Sequence, residues 1–196
     1  MGKRSMKPST MLNPVPVVMV SSGTMEQANI ITIAWAGTIC SEPPMVSISV
    51  RPERHSYGLI QESGEFVINL VTEELAKACD YCGVKSGRDI DKFEKLGLTK
   101  LESETVAAPG IEQSPVRIEC KVKQQIPLGS HDIFLAEVTG VTVDDKYFDE
   151  KDKFDLAKAG LVTYSHGEYF SLNEMVGFYG YSVAAPDVLK RRMKKG

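Results

Sequence analysis

A short segment, residues 51–57, combines two arginines, a histidine and a serine where a strand pattern gives way to a helix pattern. Guanidinium groups form paired, charge-assisted hydrogen bonds with phosphate oxygens, and the N–H groups at a helix N-terminus add further donors. The segment therefore indicates a phosphate-binding site, and the alternative is an ordinary charged helix start on the surface. The candidate ligands are Arg51, Arg54, His55 and Ser56.

The loop at residues 86–92 offers a second set of groups that suit an anionic ligand. Beside Ser86, Gly87 permits a tight loop and a close approach of the backbone to a ligand. Lys92 is long enough to reach an anion or the carbonyl oxygen of a ring. The alternative is a loop that leads into a helix whose early acidic residues, Asp89 and Asp91, interact favourably with the helix dipole.

The only tryptophan, Trp35, lies in a strand pattern beside small residues, Ala34, Ala36 and Gly37. Small neighbours leave room for a flat ring against the backbone, so this strand is a candidate for contact with an aromatic ligand. The alternative is a tryptophan that fills the core, which is the usual case.

His131 and Asp132 follow a turn at Gly129. The two residues are either a catalytic pair or a surface or capping pair without a catalytic role. Other catalytic patterns are missing from the sequence. There is no Gly-x-Ser-x-Gly elbow, no Walker-type phosphate loop and no Gly-x-Gly-x-x-Gly motif. These absences argue against a serine hydrolase, a P-loop nucleotidase and a Rossmann dinucleotide site.

Cys79 and Cys82 form a C-x-x-C pair, and the chain has four cysteines in all. No second pair or nearby histidine completes a zinc site, so no metal is expected. On a helix the two thiols share one face, where they pack as small apolar residues or act as a redox dithiol.

The composition is that of one globular domain spanning residues 1–196. The chain carries a net charge of -3, with 42% hydrophobic and 25% charged residues. An acidic total gives no general attraction to nucleic acid, and no apolar run approaches the roughly 20 residues that cross a membrane. We expect a cytoplasmic protein with an N-terminal extension at 1–12 and a basic, solvated C-terminal tail at 186–196.

Strand patterns dominate the chain and helix patterns are few and short. The predicted strands span 15–21, 29–38, 45–50, 66–71, 116–125, 133–143, 161–164 and 169–172. The predicted helices span 53–62, 72–81 and 89–96. Many strands with few helices predict a mainly β fold, closed into a barrel so that no sheet edge is left open.

These segments follow one another in an order that resembles the flavin reductase-like, FMN-binding split-barrel family, and within it the flavoredoxin group. The resemblance covers nearly the whole chain, from Val15 to Phe170. It is carried by Asn29-Ile-Ile-Thr32-Ile-Ala34-Trp35, Ser41-Glu-Pro43-Pro44-Met-Val, Ser49-Val-Arg51-Pro-Glu-Arg54-His-Ser56, Gly64-Glu-Phe-Val-Ile-Asn69, Ser86-Gly87-Arg-Asp-Ile-Asp91-Lys92-Phe93 and His131-Asp132-Ile-Phe134.

The resemblance implies a homodimer of six-stranded, Greek-key split barrels with short peripheral helices and one tightly but non-covalently bound FMN per subunit. It implies that Asn29 and Thr32 bond the polar groups of the flavin, while Ala34 and Trp35 lie against its ring. It further implies that Tyr164 shields the ring and that His131 lies where an electron donor docks. The phosphate and ring edge would be held by Arg51, Arg54, His55, Ser56, Ser86, Gly87 and Lys92.

The function implied is that of an FMN-dependent oxidoreductase or electron-transfer protein, with NADH, NADPH or a protein as electron donor. Two alternatives stay open. One is a flavin reductase that releases reduced FMN to a partner oxygenase, and the other is a non-catalytic FMN-binding sensor. The run Gly129-Ser130-His131 departs from the Gly-Asp-His frequent in two-component flavin reductases and weakens the first alternative.

Overall fold

The computed structural model describes residues 2–172 and 174–193. The strands are β1 Val15–Pro16, β2 Val18–Gly23, β3 Ala28–Ile33, β4 Ala36–Ser41, β5 Pro44–Val50, β6 Glu65–Leu70, β7 Lys100–Leu101, β8 Gly110–Ile111, β9 Val116–Pro127, β10 Asp132–Val143, β11 Val162–Ser165 and β12 Glu168–Ser171. The helices are α1 His55–Ser63, α2 Ala76–Val84, α3 Lys92–Leu96 and α4 Pro186–Met193. None of the helices in these ranges is long and apolar enough to cross a membrane.

The main sheet is antiparallel and contains seven strands in the order β3-β2-β6-β9-β10-β5-β4. Its two edge strands, β3 and β4, are separated in the chain only by Ala34 and Trp35. A flat sheet of seven strands would hold its edges about 29 Å apart, whereas this link spans at most about 11 Å. The sheet must therefore curl until its edges meet.

The mainly β prediction is confirmed, with two corrections to the barrel. The expected strand 29–38 is two strands, β3 and β4, so the main sheet has seven strands instead of six. The barrel is also not closed by a strand ladder in the described part of the chain. Near the opening, the Ser49 amide donates to the Trp35 carbonyl at 3.0 Å.

Two layers of apolar side chains hold this arrangement. One face of the curled sheet encloses a core that includes Val46, Ile48 and Phe134. The other face of β2 and β3 packs against α2 and α3 through residues such as Met19 and Phe93. Strands β2 and β3 are thus buried on both faces, which fixes the position of any side chain at their ends.

A smaller sheet, in the order β1-β11-β12, lies beside the barrel. Val15 of β1 pairs with Tyr164 of β11, and the Thr163 hydroxyl donates to the Val15 carbonyl at 2.7 Å. This pairing ties the segment before β1 to the β11–β12 hairpin.

The three predicted helices begin two to four residues later than expected, and α2 also ends later, at Val84. Helix α2 starts at Ala76 instead of 72, because Thr72 accepts a hydrogen bond from the Leu75 amide at 3.3 Å and caps a preceding turn. Helix α3 starts at Lys92 and ends before Gly97, whose φ of 63° is the left-handed conformation that glycine favours.

The C-terminal tail, expected to be basic and solvated, contains a helix. Helix α4 has Asp187 in its first turn and three basic residues in its last, an arrangement that complements the helix dipole. None of its described residues is buried. Residues 194–196 of the predicted tail lie outside the described residues.

Candidate functional site

A cavity of about 710 Å³ opens where the barrel edges meet the smaller sheet. Its volume is within the range of about 300–1,000 Å³ that small-molecule sites occupy. Its lining includes seven residues predicted for the site, Thr32, Ala34, Trp35, Arg51, Arg54, His131 and Tyr164. The cavity brings these residues together from four separate parts of the chain.

The link between β3 and β4 forms one wall of the cavity. Trp35 is 45% exposed, so it does not fill the core. Its ring centroid lies 4.6 Å from that of His131, with the two planes tilted by 46°. Thr32, three residues earlier in the chain, donates its hydroxyl proton to the Cys79 carbonyl and accepts from the Cys79 thiol at 3.8 Å. Its second lone pair is left to accept another hydrogen bond.

Arg51 and Arg54 stand on the turn between β5 and α1 and give this end of the cavity a positive charge. Arg51 also forms an ion pair with Glu53 at 3.4 Å, with both side chains largely exposed. Burial and the two arginines lower the pKa of His131, and Glu53 opposes this in part. These effects together favour the neutral form of the imidazole.

Next to this end, the N-terminus of α1 meets the loop that contains Gly87. The buried Asn29 amide donates to the buried Ser56 hydroxyl at 2.8 Å. A Cβ on Gly87 would lie 2.1 Å from the Asn29 Oδ1, so only glycine lets the loop come this close. Ser56 accepts from Asn29 and keeps its own proton for another partner.

Helix α1 leaves its first N–H groups available, because Arg54 at the N-cap makes no side-chain hydrogen bond to them. Burial, Arg88 and Lys92 lower the pKa of His55 in its first turn. The free donors and the nearby cations together make this corner suited to an anion.

Arg88 is a residue of this corner that the sequence interpretation did not single out. Its guanidinium donates to the Glu53 carbonyl at 3.0 Å and so links the Gly87 loop to the start of α1. Its place directly after Ser86 and Gly87 in the sequence is the signal that could have identified it.

Lys92 is placed differently from the prediction. Its ammonium is buried and donates to the Ile30 and Cys82 carbonyls at 2.6 and 2.8 Å. It is not among the residues that line the cavity. The helix predicted to start at residue 89 starts at Lys92. The Lys92 side chain turns inward, where its ammonium bonds carbonyl groups of β3 and α2.

His131 and Asp132 do not act as a pair. Successive residues of a strand point to opposite faces, and Asp132 is buried on the face away from His131. There it accepts from the Tyr57 hydroxyl and the Gln125 amide, each at 2.7 Å. The His131 Nδ1 lies instead 3.0 Å from the Ser130 hydroxyl, so the site holds no His–Asp dyad.

Two further parts of the lining were not predicted. The segment 9–13, together with Met6, covers the cavity although it was expected to be a plain extension. The tip of the β11–β12 hairpin, His166 and Gly167, also borders the cavity. The histidine–glycine turn was visible in the sequence, but its position at the site depends on the pairing of β1 with β11.

The C-x-x-C pair lies in α2, behind the cavity wall. Both thiols are buried, and burial raises the pKa of Cys79 to about 12 and that of Cys82 to about 11. The reactive thiolate form is therefore rare at neutral pH, which favours packing over redox exchange.

The chain belongs to the flavin reductase-like domain family, whose model matches residues 10–173. It is 32% identical to the flavoredoxin of Desulfovibrio vulgaris (Miyazaki F), with a TM-score of 0.83 over 90% of this chain and 97% of that one. A flavoredoxin from Methanosarcina acetivorans has the same fold, with 22% identity and a TM-score of 0.85 over 94% and 100% of the two chains. An uncharacterized protein of Archaeoglobus fulgidus is 32% identical over 85% of this chain and 93% of its own length.

Proposed function

We propose that this protein is an FMN-binding oxidoreductase that accepts electrons from NAD(P)H or a protein donor and passes them on. The observation that carries the proposal is that the cavity adjoins a site suited to an anion. We call this site the anion corner, and it is formed by the N-terminus of α1 and the loop that contains Gly87. A wall formed by Trp35 and its small neighbours suits a flat ring, and the cationic end near Arg54 leads to the N-terminus of α1. FMN has this same combination of a flat ring and a terminal phosphate.

The residues of the anion corner fit a phosphate group. Gly87 lets its loop pack directly against the Asn29 side chain beside the start of α1, where Arg54 at the N-cap makes no side-chain hydrogen bond to the first N–H groups. Arg54, His55 and Arg88 supply positive charge or further donors. We assign the phosphate to this corner, with Ser56 and Ser86 as hydroxyl partners.

The residues of the cavity wall fit the ring of a flavin. Ala34 and Trp35 present a flat, largely apolar surface, and Thr32 offers an acceptor oxygen at its edge. Tyr164 faces the cavity from the smaller sheet. In this assignment Lys92 acts at a distance, by fixing β3 behind the ring.

Bound FMN supplies the electron-transfer chemistry, and the protein supplies binding, orientation and electrostatics. The cations near Arg51 favour negative charge at their end of the cavity. His131, whose pKa is lowered by burial and the two arginines, lies beside Trp35 with its ring tilted and offers a hydrogen-bonding nitrogen to a docked electron donor. No acid or base of the protein is needed to move a hydride, which agrees with the lack of a His–Asp dyad.

The segment 9–13 favours a retained FMN over one that is released to a partner. It borders the cavity while being exposed to solvent itself, so it forms an outer wall. A flavin behind this wall leaves slowly. The alternative of a reductase that exports reduced FMN predicts weak, exchangeable binding.

We further propose that the protein works as a homodimer. The segment before α4 exposes large apolar side chains, with Val176 and Val183 each 87% exposed. Exposed apolar groups in one segment are typical of a surface covered by another chain. Light scattering would test this, since a dimer has twice the chain mass of 21.6 kDa.

The experiment that tests the proposed function is an absorbance spectrum of the purified protein, followed by anaerobic addition of NADH and then NADPH. A yellow protein that either nucleotide bleaches is the expected result, and it identifies the donor. A yellow protein that only dithionite bleaches points to a protein donor or to a sensor. A colourless protein that also fails to bind added FMN would overturn the proposal.

A further inference from the structure

Two arginines, Arg51 and Arg54, and two imidazoles, His131 and His166, line the cavity. Among the described residues, no aspartate or glutamate lines it. A single phosphate at the anion corner accounts for the arginines near α1. It does not account for His166, which reaches the cavity from the other sheet.

His166 occupies a backbone position that disfavours it. It and Gly167 are the two central residues of the β11–β12 turn, with φ values of 55° and 94°. Two-residue hairpin turns with both φ values positive strongly prefer Asn-Gly. Non-glycine residues in the left-handed region are uncommon. Histidine adopts it more readily than most, but asparagine is the residue that this turn prefers, so the turn alone does not require an imidazole here.

The position of this turn is fixed relative to the cavity. Ser165 pairs with Glu168 across the hairpin, and Tyr164 pairs with Val15 of β1. These ladders make the hairpin tip a rigid part of the cavity rim. Within the described part of the chain, His166 makes no side-chain hydrogen bond or ion pair, so its imidazole is free for a ligand.

We propose that His166 binds an anionic group, a carboxylate or a phosphate, on the substrate that exchanges electrons with the flavin. This inference rests on the proposed function, because it assigns the flavin phosphate to the far end of the same cavity. The substrate then lies between Trp35 and the hairpin, with its negative group at His166. The shared chemistry is the anion, and its source is either a nicotinamide nucleotide or a small organic acid.

The variant His166→Asn tests the proposal, because it removes the imidazole and places a favoured residue in the turn. We expect its melting temperature to equal or exceed that of the wild type. Lys123→Ala is the matched control, since it removes a cation from the outer surface of β9, where Lys123 pairs with Glu137. The FMN content of all three proteins is measured first.

Benzoate and benzamide, which differ in the charged group, are then titrated into the FMN-loaded proteins and followed by flavin absorbance. We expect His166→Asn to lower the affinity for benzoate by about fivefold or more and to leave the affinity for benzamide unchanged. KM for NADH and NADPH is measured in parallel. A rise in KM with kcat unchanged, without an effect on benzoate, identifies the nucleotide phosphate as the anion.

Unchanged benzoate affinity together with unchanged KM values would overturn the assignment of His166. A loss of FMN in His166→Asn alone would also overturn it, since His166 would then hold the flavin. Absence of FMN from the wild type as well is a failure of the proposed function, and the two failures are therefore distinguishable.

Discussion

The indole ring of Trp35 and the imidazole ring of His131 lie 4.6 Å apart, tilted by 46°, at the opening of the barrel. Trp35 comes from the link between the two edge strands and His131 from the start of β10. Their contact therefore joins the curled edge of the sheet to the start of β10, an inner strand. It also places a titratable group beside the proposed ring site.

The pH dependence of His131 follows from this position. Burial, Arg51 and Arg54 all disfavour the imidazolium form, so we expect a pKa below the ordinary value of 6.5. Removing a nearby positive charge relieves part of the effect, and Arg51→Ala should raise the His131 pKa. A proton NMR titration of the imidazole in both proteins measures the shift. A fall in the pKa of His131 in Arg51→Ala would contradict this account of the charges.

Gly87→Ala should weaken FMN binding and lower stability. The new Cβ would come within 2.1 Å of the Asn29 Oδ1, and Asn29 is buried and bonded to Ser56. Overpacking of this kind costs about 1–3 kcal/mol. Thermal unfolding and FMN titration measure the two effects. Gly58→Ala in α1 is the control, because a Cβ there meets nothing within 4 Å, and it should be neutral or slightly stabilising.

Local patterns predict most of the strands well, and they place two of the proposed site residues near one another. The alternation of Val46, Ile48 and Val50 identifies β5, and these side chains are buried in the core. Gly87 and Arg54, assigned to one site from the sequence, approach the same end of α1 through Asn29, Ser56 and the N-cap.

Features that depend on tertiary curvature are not visible in local patterns. The alternation through Ile31, Ile33 and Trp35 continues without a break, so the end of β3 at Ile33 cannot be read from it. The break arises because the sheet must turn its edges together. The buried position of Lys92 is hidden from local patterns for a similar reason, because one of the two carbonyls that hold its ammonium, that of Ile30, is 62 residues away.

The double change Arg51→Ala with Arg54→Ala should weaken FMN binding. A hydrogen bond to a charged group contributes about 1.5–3 kcal/mol, and the exposure of these side chains reduces that value. We therefore expect a loss of at least about tenfold in affinity, which fluorescence quenching of FMN measures. Lys121→Ala with Lys123→Ala removes the same charge from β9 and should bind FMN normally. Equal affinity in both double variants would place the phosphate elsewhere.

Cys79→Ala should leave electron transfer unchanged. The thiol is buried, its pKa is raised to about 12, and its Sγ lies 3.8 Å from the Thr32 hydroxyl behind the cavity wall. The reactive form is too rare at neutral pH for a relay. Anaerobic reduction and reoxidation rates of the flavin in Cys79→Ala and in the wild type test this directly. A marked slowing in the variant would support the hypothesis that Cys79 and Cys82 act as a redox dithiol.

Thiol titration gives an independent check, because Cys79, Cys82 and Cys120 are buried while Cys40 is partly exposed. The folded protein should react at Cys40 alone, and the three buried thiols should react only after unfolding.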